Sequence, residues 1–163
     1  MEHAAPAIFV ALEHSDFASG IRQSLWLYPA ANVGHIVFLF CFAGAIAVMD
    51  LRMVGAFAAT SPGHVLRGAR RAALVAFSGL AVTGFVLFAA EASHVAVNPV
   101  FQFKLSLIVI GLINIALSEL YTAPMVKDLP PLAPLPKAAR RSGILSLAIW
   151  LAVAACGRSI AYF

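Results

Sequence analysis

Four apolar stretches, each long enough to cross a lipid bilayer, constrain this chain more than any other feature. The hydrocarbon core of a bilayer is about 30 Å thick, and about 20 helical residues cross it. In lipid the backbone must form its hydrogen bonds internally, and no stretch alternates as barrel strands do, so all four are predicted to be helices. They cover residues 30–54, 72–94, 101–123 and 142–162.

Composition excludes an ordinary soluble domain. The chain has 163 residues, of which 62% are hydrophobic and 11% are charged, whereas soluble domains are roughly half apolar and a quarter charged. The predicted fold is therefore all-α: a single domain over residues 1–163, folded as an integral membrane four-helix bundle with an N-terminal interfacial amphipathic segment.

The eleven lysines and arginines predict the orientation of the helices. Eight of them lie near the connections of helix one to helix two and of helix three to helix four: Arg52, Arg67, Arg70, Arg71, Lys127, Lys137, Arg140 and Arg141. The other three are Arg22, Lys104 and Arg158. This bias predicts a multi-pass protein of the bacterial inner membrane, with those two loops in the cytoplasm and both termini outside. The basic residues are not interleaved with aromatic ones on a polar face, so no nucleic-acid partner is expected.

The segment before helix one, residues 6–28, is predicted to lie on the outer membrane interface. Ser15 and Asp16 are suitable for a helix N-cap, and apolar residues follow at helical spacing. Trp26 and Tyr28 come just before the first span, where aromatic side chains anchor proteins at the bilayer surface.

Two histidines suggest a haem site. His35 lies about one turn inside helix one, and His94 lies at the end of helix two. Helix bundles hold haem between facing helices with imidazoles as axial ligands, so these residues are the predicted iron ligands of a haem b. His35 lies 17 residues from Arg52, and His94 lies 23 residues from Arg71. If the two arginines are at the same depth, His94 sits ~9 Å further out than His35 at ~1.5 Å per residue, a gap that helix tilt could close.

Four further residues complete the predicted haem site. Phe38 and Phe42 share the face of His35 and would flank the ring, while Lys104 and Arg158 would pair with its propionates. The corresponding function is electron transfer or redox and gas sensing. It implies a redox partner protein, and a homo-oligomer if the second iron ligand comes from another subunit.

A cofactor-free alternative rests on helix three, which carries a polar seam at helical spacing: Lys104, Leu107, Gly111, Asn114, Ser118 and Tyr121. Such a seam is typical of interhelical packing through small and hydrogen-bonding residues. It also fits a small transporter or a subunit that assists assembly of a membrane complex. Both interpretations stay open on the sequence.

A second alternative is copper handling outside the membrane. The sequence Met1-Glu2-His3 has the geometry to chelate a square-planar ion, and His14 with its acidic neighbours could add ligands. His64 is interpreted as a loop or cap residue, and Glu91 either as a partner of His94 or as a solvated carboxylate. No nucleophile triad, phosphate loop or HExxH motif is present, so the sequence does not decide whether the protein is an enzyme.

Asp50 and Arg52, at the end of helix one, are interpreted as structural charges of the membrane boundary, since charges there usually pair or extend toward water.

Several short motifs carry a resemblance. The chain has Trp26-Leu27-Tyr28-Pro29, then His35, then Asp50-Leu51-Arg52-Met53-Val54-Gly55, and later Asn98-Pro99-Val100-Phe101-Gln102-Phe103-Lys104. In order and spacing it resembles an uncharacterised family of small bacterial inner-membrane proteins, with Asn32 where that pattern has an acidic residue. The resemblance implies a four-helix fold. The chain is also similar, more loosely, to four-helix b-type membrane cytochromes and to copper-resistance membrane proteins.

Overall fold

The structure is a computed structural model that describes residues 5–162, and every regular element in this range is a helix. Two short helices come first, α1 (Ala7–Glu13) and α2 (Asp16–Gln23). The longer elements are α3 (Leu27–Val54), α4 (Pro62–Ala90), α6 (Pro99–Leu117) and α8 (Lys137–Ser159), with the short helix α5 (Ala92–Val97) between α4 and α6. A π-helical turn (Ser118–Thr122) and α7 (Ala123–Val126) continue α6, and a 3-10 turn (Ile160–Tyr162) follows α8.

The prediction of four spans is confirmed at the level of helix length and composition. Four helices are long and apolar enough to cross a membrane: α3, α4, the continuous segment Pro99–Val126, and α8. Helix α4 begins ten residues before the predicted start of helix two. Its first turns are basic, so hydropathy does not reveal them, and Pro62 at the first position pre-sets a helical backbone. Arg67, Arg70 and Arg71 therefore lie on a helix and not in a loop.

The long helices form a bundle in the order α4, α3, α8, α6. Helix α3 is packed against both α4 and α8, and α8 is packed against α6, while α4 and α6 share few direct contacts. Consecutive long helices run in opposite directions. The loops 55–61 and 127–136 therefore share one end of the bundle, called here the basic end, and α1, α2 and α5 lie at the other, the lid end.

Three aromatic side chains fill the middle of the bundle, and we call them the aromatic layer. The ring of Phe42 on α3 lies 4.7 Å from that of Trp150 on α8 and 5.6 Å from that of Phe77 on α4, centroid to centroid. Such edge-on and tilted pairs are favourable beyond the area that they bury. The layer joins three of the four long helices.

Two glycines let neighbouring helices approach closely. A β-carbon at Gly79 of α4 would lie 2.5 Å from the ring of Phe38 on α3. One at Gly143 of α8 would lie 2.9 Å from the backbone carbonyl of Asp50 on α3. Small residues at such contacts are the usual means of helix association in lipid.

The N-terminal segment consists of α1 and α2, which are packed on the corner between α4 and α5 and are called here the lid. Phe9 contacts Phe88 edge-on, and Phe17 stacks on Phe85. Arg22 donates a hydrogen bond of 2.9 Å to the carbonyl of Ala90, which the end of α4 leaves without a helical partner. The predicted interfacial segment is thus a part of the protein fold.

The wide turn at Ser118–Thr122 comes just before Pro124. Proline has no N–H group to donate to the carbonyl four residues earlier, here that of Leu120. A π-helical turn accommodates this defect without ending the helix, and such turns occur frequently at functional sites.

Candidate functional site

His35 on α3 is bound to Thr83 on α4, in the half of the bundle nearer the lid. The distance from His35 Nδ1 to Thr83 Oγ1 is 2.9 Å. The Thr83 hydroxyl donates its proton to the carbonyl of Gly79 at 2.7 Å, so toward the histidine it can only accept. In this arrangement the proton of the neutral imidazole is on Nδ1. Nε2 then carries the lone pair that accepts a proton or binds a metal ion.

Lys104 on α6 is the cation nearest to this pair. Its side chain is half-buried and lies against α8, where a β-carbon at Gly157 would be 3.5 Å from the ammonium nitrogen. The ammonium is close enough to His35 to act on it electrostatically. Within residues 5–162 Lys104 forms no ion pair. We call His35, Thr83 and Lys104 the histidine cluster.

The other predicted haem residues are not brought to His35. Helix α4 ends at Ala90, and the backbone of Glu91 is not helical, so the helical register that would align His94 with Thr83 is interrupted. His94 lies exposed on α5. Arg158 is exposed as well, and it donates a hydrogen bond of 2.6 Å to the hydroxyl of Tyr162. The structure therefore places neither residue opposite His35.

The two phenylalanines have packing roles. Phe38 lies against Gly79, and Phe42 belongs to the aromatic layer. Because a β-carbon at Gly84 would also lie only 3.2 Å from the His35 ring, α3 and α4 are in close contact on both sides of His35. A haem ring would have to separate these helices to enter between them. His35 lines neither the cleft between α6 and α8 around Phe103 nor the cleft at the basic end around Arg70.

A second polar group, the aspartate cluster, lies in the half of the bundle nearer the basic end. Asp50 and Arg52 on α3 are each 1% exposed. Arg52 Nη2 donates to the carbonyl of Thr60 at 2.9 Å, and Ser146 of α8 lies beside the Asp50 carboxyl group. Asp50 Oδ2 and Arg52 Nε are buried without a hydrogen-bond partner in the described part of the chain. Buried, incompletely bonded charges are expensive in a membrane bundle and commonly mark a functional position.

The polar seam of α6 is mostly a packing surface. Asn114 donates to the carbonyl of Ser142 on α8 at 3.3 Å, and the Ser142 hydroxyl lies 3.4 Å from Asn114 Oδ1. Gly111 is buried against Trp150, and Tyr121 is exposed. The seam thus joins α6 to α8, as the packing interpretation predicts.

The residues considered for copper are not assembled into a site. Among residues 5–162 no group of three or more histidine, cysteine, aspartate or glutamate side chains could hold a metal ion. His14 is exposed at the end of α1, and the Glu13 carboxylate accepts hydrogen bonds from the backbone and hydroxyl of Ser93. His3 lies outside the described residues. His64 is exposed in the first turn of α4, and Glu91 is exposed at the α4–α5 break.

Sequence reasoning singled out His35 as a site residue but interpreted Asp50 as a structural charge, and it found the surroundings of neither. Thr83 is marked only by its place at seven-residue spacing from Ala76 and Ala90, which is a common packing pattern. Nothing in the sequence pairs Ser146 with Asp50, or Arg70 with Glu119, whose side chains form an ion pair of 2.6 Å between α4 and the π-helical turn. These partners depend on how the helices are rotated in the bundle.

Comparison with known proteins identifies a family. Residues 26–163 match the family of unknown function DUF6644, and because this match covers most of the chain, the protein belongs to that family. No curated protein and no solved structure matches the chain.

Proposed function

We propose that this DUF6644 protein moves protons, or a small solute together with protons, across the membrane that its four long helices span. The proposal rests on one observation: the bundle holds a polar cluster in each half, and the aromatic layer closes the space between them. Titratable side chains at successive depths of a membrane bundle, such as aspartate and histidine, are typical of proton relays in pumps and transporters.

His35 is the proton acceptor of this proposal on the lid side. Its Nε2 carries a lone pair, because the bond to Thr83 requires the proton on Nδ1. An imidazole gains and loses a proton near neutral pH more readily than other side chains. Lys104, half-buried on α6, adds a positive charge to this half of the bundle.

Asp50 is the corresponding group on the basic side. It lies 15 residues after His35 on the same helix, a separation of ~22 Å at 1.5 Å per residue. Its Oδ2 is buried without a hydrogen-bond partner among the described residues, and a proton can bind to the carboxyl group there. Phe42 lies between the two residues, so a proton crosses only when the aromatic layer rearranges or water enters it.

The orientation belongs to the same proposal. Eight of the eleven lysines and arginines lie toward the basic end, which the positive-inside rule assigns to the cytoplasm. In a bacterial inner membrane the histidine cluster would then face outside and the aspartate cluster the cytoplasm. Protons driven inward by the membrane potential would meet His35 first.

The test is proton flux in vesicles. Purified protein reconstituted into vesicles with an internal pH dye, a pH gradient and a potassium-valinomycin potential should acidify the interior faster than protein-free vesicles do. His35→Gln and Asp50→Asn should reduce the flux to the protein-free rate, while Glu91→Gln, at an exposed carboxylate, should leave it unchanged. Wild-type flux equal to that of protein-free vesicles, or full flux in a folded His35→Gln protein, contradicts the proposal.

A b-type haem protein is the second candidate, and the lone pair on His35 Nε2 favours it. A hydrogen bond on Nδ1, such as the one to Thr83, is the usual support of a histidine ligand. The second axial ligand would come from another copy of the chain, or the iron would be five-coordinate. Lys104 would pair with a propionate, and a bound haem would add electron transfer or gas binding.

An optical spectrum separates the two candidates. Protein purified from haem-replete cells should show a Soret band that shifts on reduction, with sharp alpha and beta bands, if it is a b-type cytochrome. His35→Ala should then lose the haem, while His14→Ala should retain it. A featureless visible region removes this candidate and leaves proton transport.

A further inference from the structure

We infer that the basic end carries a binding site for a phosphate group of an anionic phospholipid. The site is a cleft between the first turns of α4 and the segment from the π-helical turn to α7, called here the basic cleft. Its volume is about 230 Å³, and Arg67, Arg70 and Lys127 line it together with a single carboxylate, that of Glu119. Three cations against one anion leave a net charge of +2 in the cleft.

The geometry favours an anion in this cleft. Arg70 is held in place by its 2.6 Å ion pair with Glu119, and its Nε is buried without a hydrogen-bond partner in the described residues. Arg67 is exposed. The ammonium of Lys127 is 3.9 Å from Asp128, in a pair so exposed that it holds the lysine weakly. Arginine donors at fixed positions and a mobile lysine suit phosphate oxygens well.

The backbone adds to this preference. Helix α4 begins at Pro62, its N-cap residue Ser61 makes no side-chain cap, and Gly63 of its first turn lines the cleft. The positive end of the helix dipole and the uncapped N–H groups of the first turn therefore lie at the cleft. Gly63 allows this placement, because a β-carbon there would overlap the carbonyl of Lys127.

The surroundings indicate a lipid as the source of the phosphate. Helices α4 and α6 share few direct contacts, and the Arg70–Glu119 pair bridges them at the cleft. Next to the cleft residues Glu119 and Pro124 in the sequence, the chain exposes the large apolar side chains of Leu120, Tyr121 and Met125, at 68%, 64% and 56%. A phospholipid can place its phosphate in the cleft and its acyl chains along this apolar surface. Basic pockets between transmembrane helices bind anionic lipid headgroups in this way.

The experiment is native mass spectrometry of the delipidated full-length protein, titrated with phosphatidylglycerol or with phosphatidylcholine. Phosphatidylglycerol should bind more tightly. The double variant Arg67→Gln/Lys127→Gln should weaken its binding by about 25-fold, at about fivefold for each cation. The matched control Arg140→Gln/Arg141→Gln removes the same charge at two exposed positions of α8 outside the cleft, and it should bind as wild type does.

Three outcomes overturn the inference. The first is equal binding of the two lipids. The second is an equal loss of affinity in both double variants, which would reflect net charge alone. The third is displacement of the lipid by millimolar inorganic phosphate, which would make the cleft a site for free phosphate. A third variant, Glu119→Gln, leaves the cleft more positive and should bind phosphatidylglycerol at least as tightly as wild type.

Discussion

At the scale of single residues, the distance between α3 and α4 depends on glycines. Because glycine has no β-carbon, large side chains of the neighbouring helix can pack directly against its backbone. Gly79→Ala places a β-carbon 2.5 Å from the Phe38 ring, so the ring or the helix must move. Overpacking of this kind costs ~1–3 kcal/mol. We expect the variant to unfold at a lower temperature in detergent, measured by near-ultraviolet circular dichroism. Adding Phe38→Ala should remove the clash.

Gly44→Ala is the matched control for this prediction. Gly44 also lies inside a long helix, but a β-carbon there would meet no atom within 4 Å. Alanine is the better helix former, by about 1 kcal/mol in peptides, so stability should be unchanged or higher. Equal destabilisation by the two substitutions would show that close packing at Gly79 does not limit the approach of α3 and α4.

The residues with unusual chemistry could be predicted from the sequence, whereas their partners could not. His35 stands out because titratable groups are rare in apolar helices, whereas Asp50, near the end of its helix, is interpreted from the sequence as a charge of the membrane boundary. Whether His35 contacts Thr83 on α4 or a residue on another helix depends on the rotation of two helices about their axes. Hydropathy contains no information on this rotation, because much of the surface of each helix is apolar.

At the scale of elements, the attachment of the lid should depend on pH through Glu13. Hydrogen bonds from the hydroxyl and the backbone N–H of Ser93 lower the pKa of Glu13 below its ordinary value of 4.5. A carboxylate with a depressed pKa stabilises the docked lid fully above pH 4.5 and loses this contribution as the pH falls through its lowered value. The protection of the amide hydrogens of residues 7–23, expressed relative to intrinsic exchange at the same pH, should therefore fall below pH 4.5.

Glu13→Gln should remove most of this pH dependence, because the amide cannot ionise. At pH 7 the amide hydrogens of residues 7–23 should already exchange faster in this variant than in wild type. Glu91→Gln, at a carboxylate outside this contact, should retain the wild-type pH profile. If Glu13→Gln and wild type show the same profile, Glu13 does not hold the lid.

The prediction of elements differed from the structure where a helix ends for reasons other than hydropathy. Residues 72–94 form one apolar run, yet α4 ends at Ala90, where Arg22 and Glu13 of the lid bind the corner between α4 and α5. Those contacts join residues 68 and 80 positions apart in the sequence. The local hydropathy pattern does not reveal these two contacts. For this reason the sequence predicts a second helix that continues to His94.

At the scale of the whole molecule, the distribution of charge makes a prediction about topology. A reporter enzyme fused after Phe163 should be active outside the cytoplasm, and one inserted near Pro134 should be active inside, because the eight cations toward the basic end retain it in the cytoplasm. The opposite pattern would place the histidine cluster on the cytoplasmic side and reverse the proposed direction of proton entry.

The lid also sets an order of events during synthesis. Residues 7–23 leave the ribosome before the residues that they contact, and Ser93 emerges 80 residues after its partner Glu13. At 5–20 residues per second this delay is about 4–16 s. During that interval the apolar faces of α1 and α2 have no partner on their own chain. The insertion machinery or the lipid surface must shelter them until the corner between α4 and α5 arrives, so the lid reaches its final place well after it has been made.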